Sequence, residues 1–152
     1  FDVDLSADRV YRESRDVRPG GAPQVAPMPY GKLGLSICYD LRFPELYRKL
    51  SAEGALVISI PSSFTAFTGK AHWDVLTRAR AVENLAFVVA PAQCGEHDSG
   101  RKKFGHTRIV DPWGRVLAEK VDHPGVVLAD LDLAEQKRLR AELPALKHRV
   151  IF

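Results

Sequence analysis

Gly31-Lys-Leu-Gly-Leu-Ser-Ile-Cys38, with the residues that follow it, Tyr39-Asp-Leu-Arg-Phe-Pro-Glu45, decides how the chain reads. Leu33, Leu35 and Ile37 alternate with Lys32, Gly34 and Ser36, the period-2 pattern of a strand that ends at Cys38. Residues 43–53 then read as a helix. Pro44 suits its first turn, Leu46, Tyr47 and Leu50 give it an apolar face, and Gly54 marks its stop. Ala55-Leu-Val-Ile-Ser-Ile60 is almost wholly apolar, as expected of a strand covered on both faces. A strand, a helix and a second strand in immediate succession form the unit of a layered α/β fold.

Further out, residues 18–29 are rich in proline and glycine and read as a connection. A loop over 61–70 leads into a helix over 71–85, with Val75, Leu76, Ala79 and Val82 as its expected buried stripe. Residues 86–90 form another apolar strand, and 91–104 a polar loop. Residues 106–110 and 115–119 pair across Asp111-Pro-Trp-Gly114, whose proline and glycine fit a type I turn. A last strand is expected over 126–131, then a helix over 133–143 ended by Pro144, then an extended tail. The order β-α-β-α-β-β-β-β-α places active residues at the C-terminal ends of strands, where open α/β sheets bind ligands.

Composition narrows the function classes. The 152 residues are 45% apolar and 27% charged, the balance of a soluble globular protein. That excludes wholesale disorder, collagen-like repeats and a coiled-coil rod. A chain of this length buries roughly 70% of the surface that its unfolded form exposes. The net charge is only +3, and its densest basic run, Arg101-Lys-Lys103, reads as a solvated loop rather than a nucleic-acid surface. The longest apolar stretch, 52–61, is interrupted by Glu53 and is too short to span a bilayer. Cys38 and Cys94 do not make a disulfide framework, and no metal-binding spacing occurs. A reduced, cytoplasmic setting is the default expectation.

Cys38 stands where a strand stops and a helix is about to begin. A thiol there lies near the positive end of a helix dipole, which favours the nucleophilic thiolate. Position alone leaves a second reading open, a small buried core residue.

The surrounding residues resemble the nucleophile segment of the nitrilase superfamily, the carbon–nitrogen hydrolases. Phe1-Asp-Val-Asp4 and Tyr11-Arg-Glu-Ser14 are similar to that family's stretch just after its catalytic lysine. Ser63-Phe-Thr-Ala-Phe-Thr-Gly69, Ala71-His-Trp-Asp74 and Arg78-Ala-Arg-Ala-Val-Glu-Asn84 resemble its next loop and helix. Ala92-Gln-Cys-Gly95, Gly105-His106, Val110-Asp-Pro-Trp-Gly114 and Leu143-Pro-Ala-Leu-Lys-His-Arg149 follow in the family's order. The branch most resembled is the Nit group.

The resemblance implies an α-β-β-α sandwich of which residues 1–152 are the C-terminal portion, about half of a longer single-domain chain. It implies hydrolysis of a linear amide, such as deaminated glutathione or an α-keto-acid ω-amide, through a cysteine thioester. Cys38 would be the nucleophile, and the Tyr39 backbone N–H would serve the oxyanion. Glu13 would brace the lysine and the water. The lysine itself and the base glutamate are expected upstream of Phe1, since Lys32, six residues before Cys38 on the same strand, cannot stand in. Arg42 would hold a substrate carboxylate, with Phe64 to Thr68 supplying further contacts. Glu13 could equally be an exposed turn acid, and Arg42 a surface partner of Asp40 or Glu45. No cofactor or metal is implied, and the partner is a small carboxylate-bearing amide. Homodimers or larger assemblies are usual in the family, and the apolar Val150-Ile-Phe152 suits either a partner contact or a strand end. Other readings are N-carbamoyl or nitrile hydrolysis, or a non-catalytic interaction domain. A papain-like pairing of Cys38 with His72 or His106 is a further, weaker reading.

Overall fold

Residues 1–6, 9–97 and 100–151 are described by a computed structural model. Two short strands, β1 (Asp2–Ser6) and β2 (Arg9–Arg12), form an antiparallel pair. The main sheet has six strands in sequence order: β3 (Gln24–Met28), β4 (Gly31–Leu35), β5 (Ala55–Ser59), β6 (Phe87–Ala90), β7 (Thr107–Val110) and β8 (Val116–Lys120). β4, β5 and β6 run parallel, while β3 and the β7–β8 hairpin join antiparallel. The α/β class expected from the sequence therefore holds. β3 falls within the stretch read as a proline- and glycine-rich connection. It is an edge strand, where the missing N–H of Pro27 is tolerated.

Helix α1 (Pro44–Ala52) covers one face of the sheet with Pro44 in its first turn, as expected. The faces of β4 are the reverse of the hydropathy reading. Gly34 and Ser36 are buried beneath α1, whereas Leu35 and Ile37 are 42% and 65% exposed. Small residues let the helix come close: a Cβ on Gly34 would lie 3.1 Å from Leu50, and Ser36 Oγ hydrogen-bonds the Tyr47 hydroxyl at 2.9 Å. Gly34, Ile58, Val88 and Val110 line up across four strands under the helices, and the last three belong to the core.

Helix α2 (Ala66–Asn84) starts five residues earlier than expected, behind an N-cap at Thr65. Its buried stripe is Gly69, Trp73, Thr77, Arg80, Ala81 and Asn84. Val75 and Val82, expected inside, are 58% and 47% exposed, and Leu76 and Ala79 are half-buried. Most of the polar groups inside find partners, although Asn84 Oδ1 is buried without one. Thr77 Oγ1 donates to the Trp73 carbonyl at 2.8 Å, and Asn84 Nδ2 to the Arg80 carbonyl at 2.9 Å.

The turn at 111–114 forms as read: Gly114 N–H donates to the Asp111 carbonyl at 2.9 Å. Residues 126–131 are not a strand. They find no ladder partner among the described residues, and Val126 and Leu128 are about as exposed as side chains get. Helix α3 (Leu133–Glu142) is capped by Asp132 and tied to the starts of β5 and β6. Gln136 Nε2 donates to the Leu56 and Leu85 carbonyls at 2.8 and 2.9 Å. After Pro144 the tail makes a 3-10 turn, Ala145–Lys147, rather than running extended throughout. Among the described residues no helix is long and apolar enough to cross a membrane.

Candidate active site

The ladder of the parallel strands continues past their ends. Ser36 N–H donates to the Ser59 carbonyl, Ile60 to Val89, Cys38 to Pro61 and Ser62 to Pro91, all between 2.9 and 3.1 Å. Cys38 is thereby fixed at the C-terminal edge of β4 beside the outgoing segments of β5 and β6, the position expected from the topology. It adopts φ +48°, a left-handed conformation that is costly for a side chain with a Cβ. From there the chain enters a 3-10 turn, Cys38–Arg42, before α1 begins. Tyr39 is the second residue of that turn, where the backbone N–H has no partner within the turn.

The turn is held from three sides. The Asp40 carboxylate accepts the Ile37 N–H at 2.8 Å. Phe43 N–H donates to the Asp40 carbonyl at 2.9 Å. Arg80, buried on α2, donates twice to the Leu41 carbonyl, at 2.8 and 3.0 Å, lies over the Tyr47 ring and pairs with Glu83 at 2.9 Å. Arg80 and Glu83, three residues apart on α2, pair as helix neighbours do. Arg80 also holds the turn that follows Cys38, a link between residues 39 apart that no local pattern signals.

Arg42 is not the surface ion-pair partner of Asp40 or Glu45. Its guanidinium is half-buried, meets His72 Nδ1 at 3.1 Å, and stacks over the Tyr39 and Phe64 rings at 5.1 and 5.4 Å. Phe64 is a buried core residue against Trp73, with ring centroids 5.0 Å apart. Its contribution is therefore a floor beneath Arg42. Thr68 is less available than expected. Its N–H and hydroxyl meet Thr65 Oγ1 at 3.4 and 3.1 Å, because the segment read as a loop is already the first turn of α2. Glu13 opens a 3-10 turn, Glu13–Arg15, and its Oε2 lies 2.5 Å from the backbone nitrogen of Phe1. The Phe1 ring packs against Tyr39 and Phe43, at 4.9 and 5.2 Å. This brings the β1–β2 pair to the turn that follows Cys38.

Residues 102–105 close another side. Lys103 pairs with Thr65, and Phe104 N–H donates to the Phe64 carbonyl at 2.9 Å. Two glycines permit the approach. A Cβ on Gly69 would lie 2.3 Å from the Phe104 ring, and one on Gly105, at φ +71°, would lie 2.0 Å from the Val121 carbonyl oxygen. Neither histidine hydrogen-bonds the Cys38 thiol. His72 faces Arg42, while the His106 ring stacks on Phe104 at 4.2 Å with its Nδ1 3.1 Å from Glu119. The papain-like pairing is thus not formed. Cys38 and Cys94 are both free, and among the described residues no group of acidic, histidine or cysteine side chains is placed to hold a metal ion.

The sequence profile of the carbon–nitrogen hydrolases matches residues 3–141. The chain belongs to the carbon–nitrogen hydrolase family. It is 48% identical to a deaminated glutathione amidase of Synechocystis sp. over 152 residues, 99% of this chain and 56% of that protein. It is 47% identical to the Mus musculus deaminated glutathione amidase, over 97% of this chain and 46% of that protein. The crystal structure of the C. elegans NitFhit protein superposes with a TM-score of 0.89 at 42% identity, covering 99% of this chain and 37% of the other. The chain thus spans about half the length of the curated relatives it matches.

In this carbon–nitrogen hydrolase chain, burial pushes the Cys38 thiol above its ordinary pKa. The direction is opposite to the thiolate that a helix start was expected to favour, because burial is the largest influence. The Ser63 backbone N–H opposes the burial effect, as do the charges of Lys103 and Arg42, whereas Glu13 adds to it. Ser63 and Lys103 are site residues that the sequence reading missed. Ser63 acts through its backbone, which carries no side-chain signal, and Lys103 was hidden in a basic run. A raised pKa means that fewer Cys38 side chains are thiolate at neutral pH than for a free thiol, with reactivity climbing as pH rises. Removing the Glu13 charge moves the titration downward. Glu13→Gln is therefore expected to speed iodoacetamide alkylation of Cys38 about two- to fivefold at pH 8. Liquid-chromatography mass spectrometry of the alkylated protein checks this, and an unchanged or slower rate contradicts it.

Proposed function

We propose that the protein hydrolyses a linear, carboxylate-bearing amide through a thioester on Cys38. The observation that carries the reading is a cysteine in a left-handed turn at the sheet edge, with Arg42 four residues on in the same 3-10 turn and, among the described residues, without a carboxylate partner. The name borne by the relatives, deaminated glutathione amidase, supports an amide as substrate.

In this reading the Cys38 thiolate attacks the amide carbon and the C–S bond forms. The carbonyl oxygen takes the negative charge, met by the Tyr39 N–H. The tetrahedral species collapses, the C–N bond breaks, and the nitrogen leaves as ammonia or an amine after accepting a proton. Water then attacks the thioester, releasing the acid and restoring the thiol. Glu13 braces the water, and the general base and the lysine come from residues outside 1–152. Residues 1–152 serve as the C-terminal portion of one hydrolase domain, in a cytoplasmic homodimer or larger assembly. Arg42 binds the substrate carboxylate in a bidentate pair, with Phe64 beneath its guanidinium and Thr68 at the pocket's edge.

Steady-state kinetics of the full-length protein test this. An α-keto-acid ω-amide is turned over in preference to an N-carbamoyl amino acid or a nitrile. Arg42→Gln raises KM for the carboxylate-bearing amide roughly 10- to 100-fold, the range of a lost charged hydrogen bond. KM for an uncharged amide stays within about twofold, since that substrate never met the guanidinium. Preferential turnover of the N-carbamoyl compound or the nitrile, or no turnover of any of the three, overturns the proposal.

A further inference from the structure

Cys38 has a φ of +48°, and a side chain with a Cβ keeps such a conformation only where its surroundings over-determine it. Two residues before it, the buried Ser36 donates its hydroxyl to the Ser59 carbonyl at 2.9 Å. That uses the one proton on Ser36 Oγ, so the Tyr47 hydroxyl, 2.9 Å away, is the donor between the two. Tyr47 is fully buried, and burial pushes its phenol above the ordinary pKa, which keeps the donated proton in place. The Tyr47 ring in turn lies under the Arg80 guanidinium, 5.2 Å from its centroid. Three residues after Cys38, the Leu41 carbonyl accepts from Arg80 Nε and Nη2 at 3.0 and 2.8 Å, while Glu83 anchors Nη1 at 2.9 Å. Ser36, Tyr47 and Arg80 thus form one buried chain from the end of β4 through α1 to α2. A contact that only joined α1 to α2 would end on those helices. This one ends on both sides of the strained cysteine.

We propose that Tyr47 and Arg80 are positioning residues for Cys38, holding it in its left-handed turn through Ser36 on one side and the Leu41 carbonyl on the other. The expected effect on turnover rests on the thioester reading of the proposed function; the effect on the thiol itself does not. A nucleophile misplaced by a fraction of an ångström loses much of its rate while the substrate still binds. Tyr47→Phe keeps the ring and removes the hydroxyl. Arg80→Lys keeps a cation over the ring and loses the paired donors to Leu41. In the full-length protein each is expected to lower kcat about tenfold with KM within about twofold. The double variant falls about tenfold as well, rather than about a hundredfold, because either change breaks the same chain.

Iodoacetamide alkylation reads the turn without requiring turnover. Released from its turn, the half-buried Cys38 is expected to react about three- to tenfold faster at pH 8 in either variant. Cys94, in its own loop, keeps its rate and so reports any opening of the whole fold. Gln136→Ala supplies a matched control: it removes two buried hydrogen bonds at the starts of β5 and β6, lowers the melting temperature, and changes neither kcat nor Cys38 alkylation. Cys38 alkylation at the parent rate in both variants, equal acceleration at Cys94, kcat within about twofold of the parent, or the same changes in Gln136→Ala each overturn the proposal. Selective acceleration of Cys38 without amide turnover by the unsubstituted protein would sink the amidase reading and leave the brace standing. Ser36→Ala breaks the chain at its other end and carries the same expectations should Tyr47→Phe or Arg80→Lys fail to fold.

Discussion

Cys38→Ala is expected to lower amide turnover by the full-length protein at least ~10⁴-fold, with the fold intact. The second thiol, Cys94, is in a separate loop and cannot substitute for Cys38 in the thioester of the proposed reaction. The substitution removes only a sulfur at a half-buried position, so the melting temperature should change little. The φ of +48° remains strained for alanine as it was for cysteine. Turnover is measured by released ammonia and stability by thermal melting. Residual activity within tenfold of the parent would show that Cys38 is not the nucleophile.

The second large effect is on stability. Trp73 is fully buried, packs edge-tilted on Phe64 and donates Nε1–H to the His106 carbonyl at 2.9 Å. It thereby ties α2 to the segment that carries Lys103 and Phe104. Trp73→Ala is expected to cost about 3–5 kcal/mol, from the lost burial and the cavity left behind. Part of that comes from leaving the His106 carbonyl unpaired. Trp73→Phe keeps the ring but loses the hydrogen bond, and should cost about 1–3 kcal/mol. Urea unfolding of the full-length variants measures both. A loss under 1 kcal/mol for the alanine variant would mean that the α2 contact contributes little to holding the site.

Much of the layout was legible from local pattern. Pro44 before an apolar face, the run 55–60, and Asp111-Pro-Trp-Gly114 each obey rules that act within a few residues, and each element formed. Where the reading failed, hydropathy had been used to infer direction. Val75 and Val82 on α2 were expected inside and lie outside, and of the alternating apolar set on β4, Leu35 and Ile37 lie outside as well. The helices pack on glycine, serine and hydrogen-bonded polar residues instead, because close approach and satisfied partners compensate for lower hydrophobicity. The strand expected over 126–131 has the composition of a strand but no neighbour to complete its ladder.

The site divides along the same line. Cys38, Tyr39, Glu13 and Arg42 were recognisable as residue types in family-like motifs, since chemistry selects the side chain. Arg42 stacked over Phe64, Arg80 holding Leu41 and the half-burial of Lys103 came only with the fold. The sequence by itself determined the α/β class and the family and singled out Cys38 as the expected nucleophile, because those readings depend on short-range periodicity and on motifs contiguous in the chain. The tertiary structure decided which cations meet that nucleophile and how its charge is balanced. Apart from Arg42, four residues on, those groups lie on segments 25 to 65 residues from Cys38, and burial sets the strength of each charge only once the segments have met.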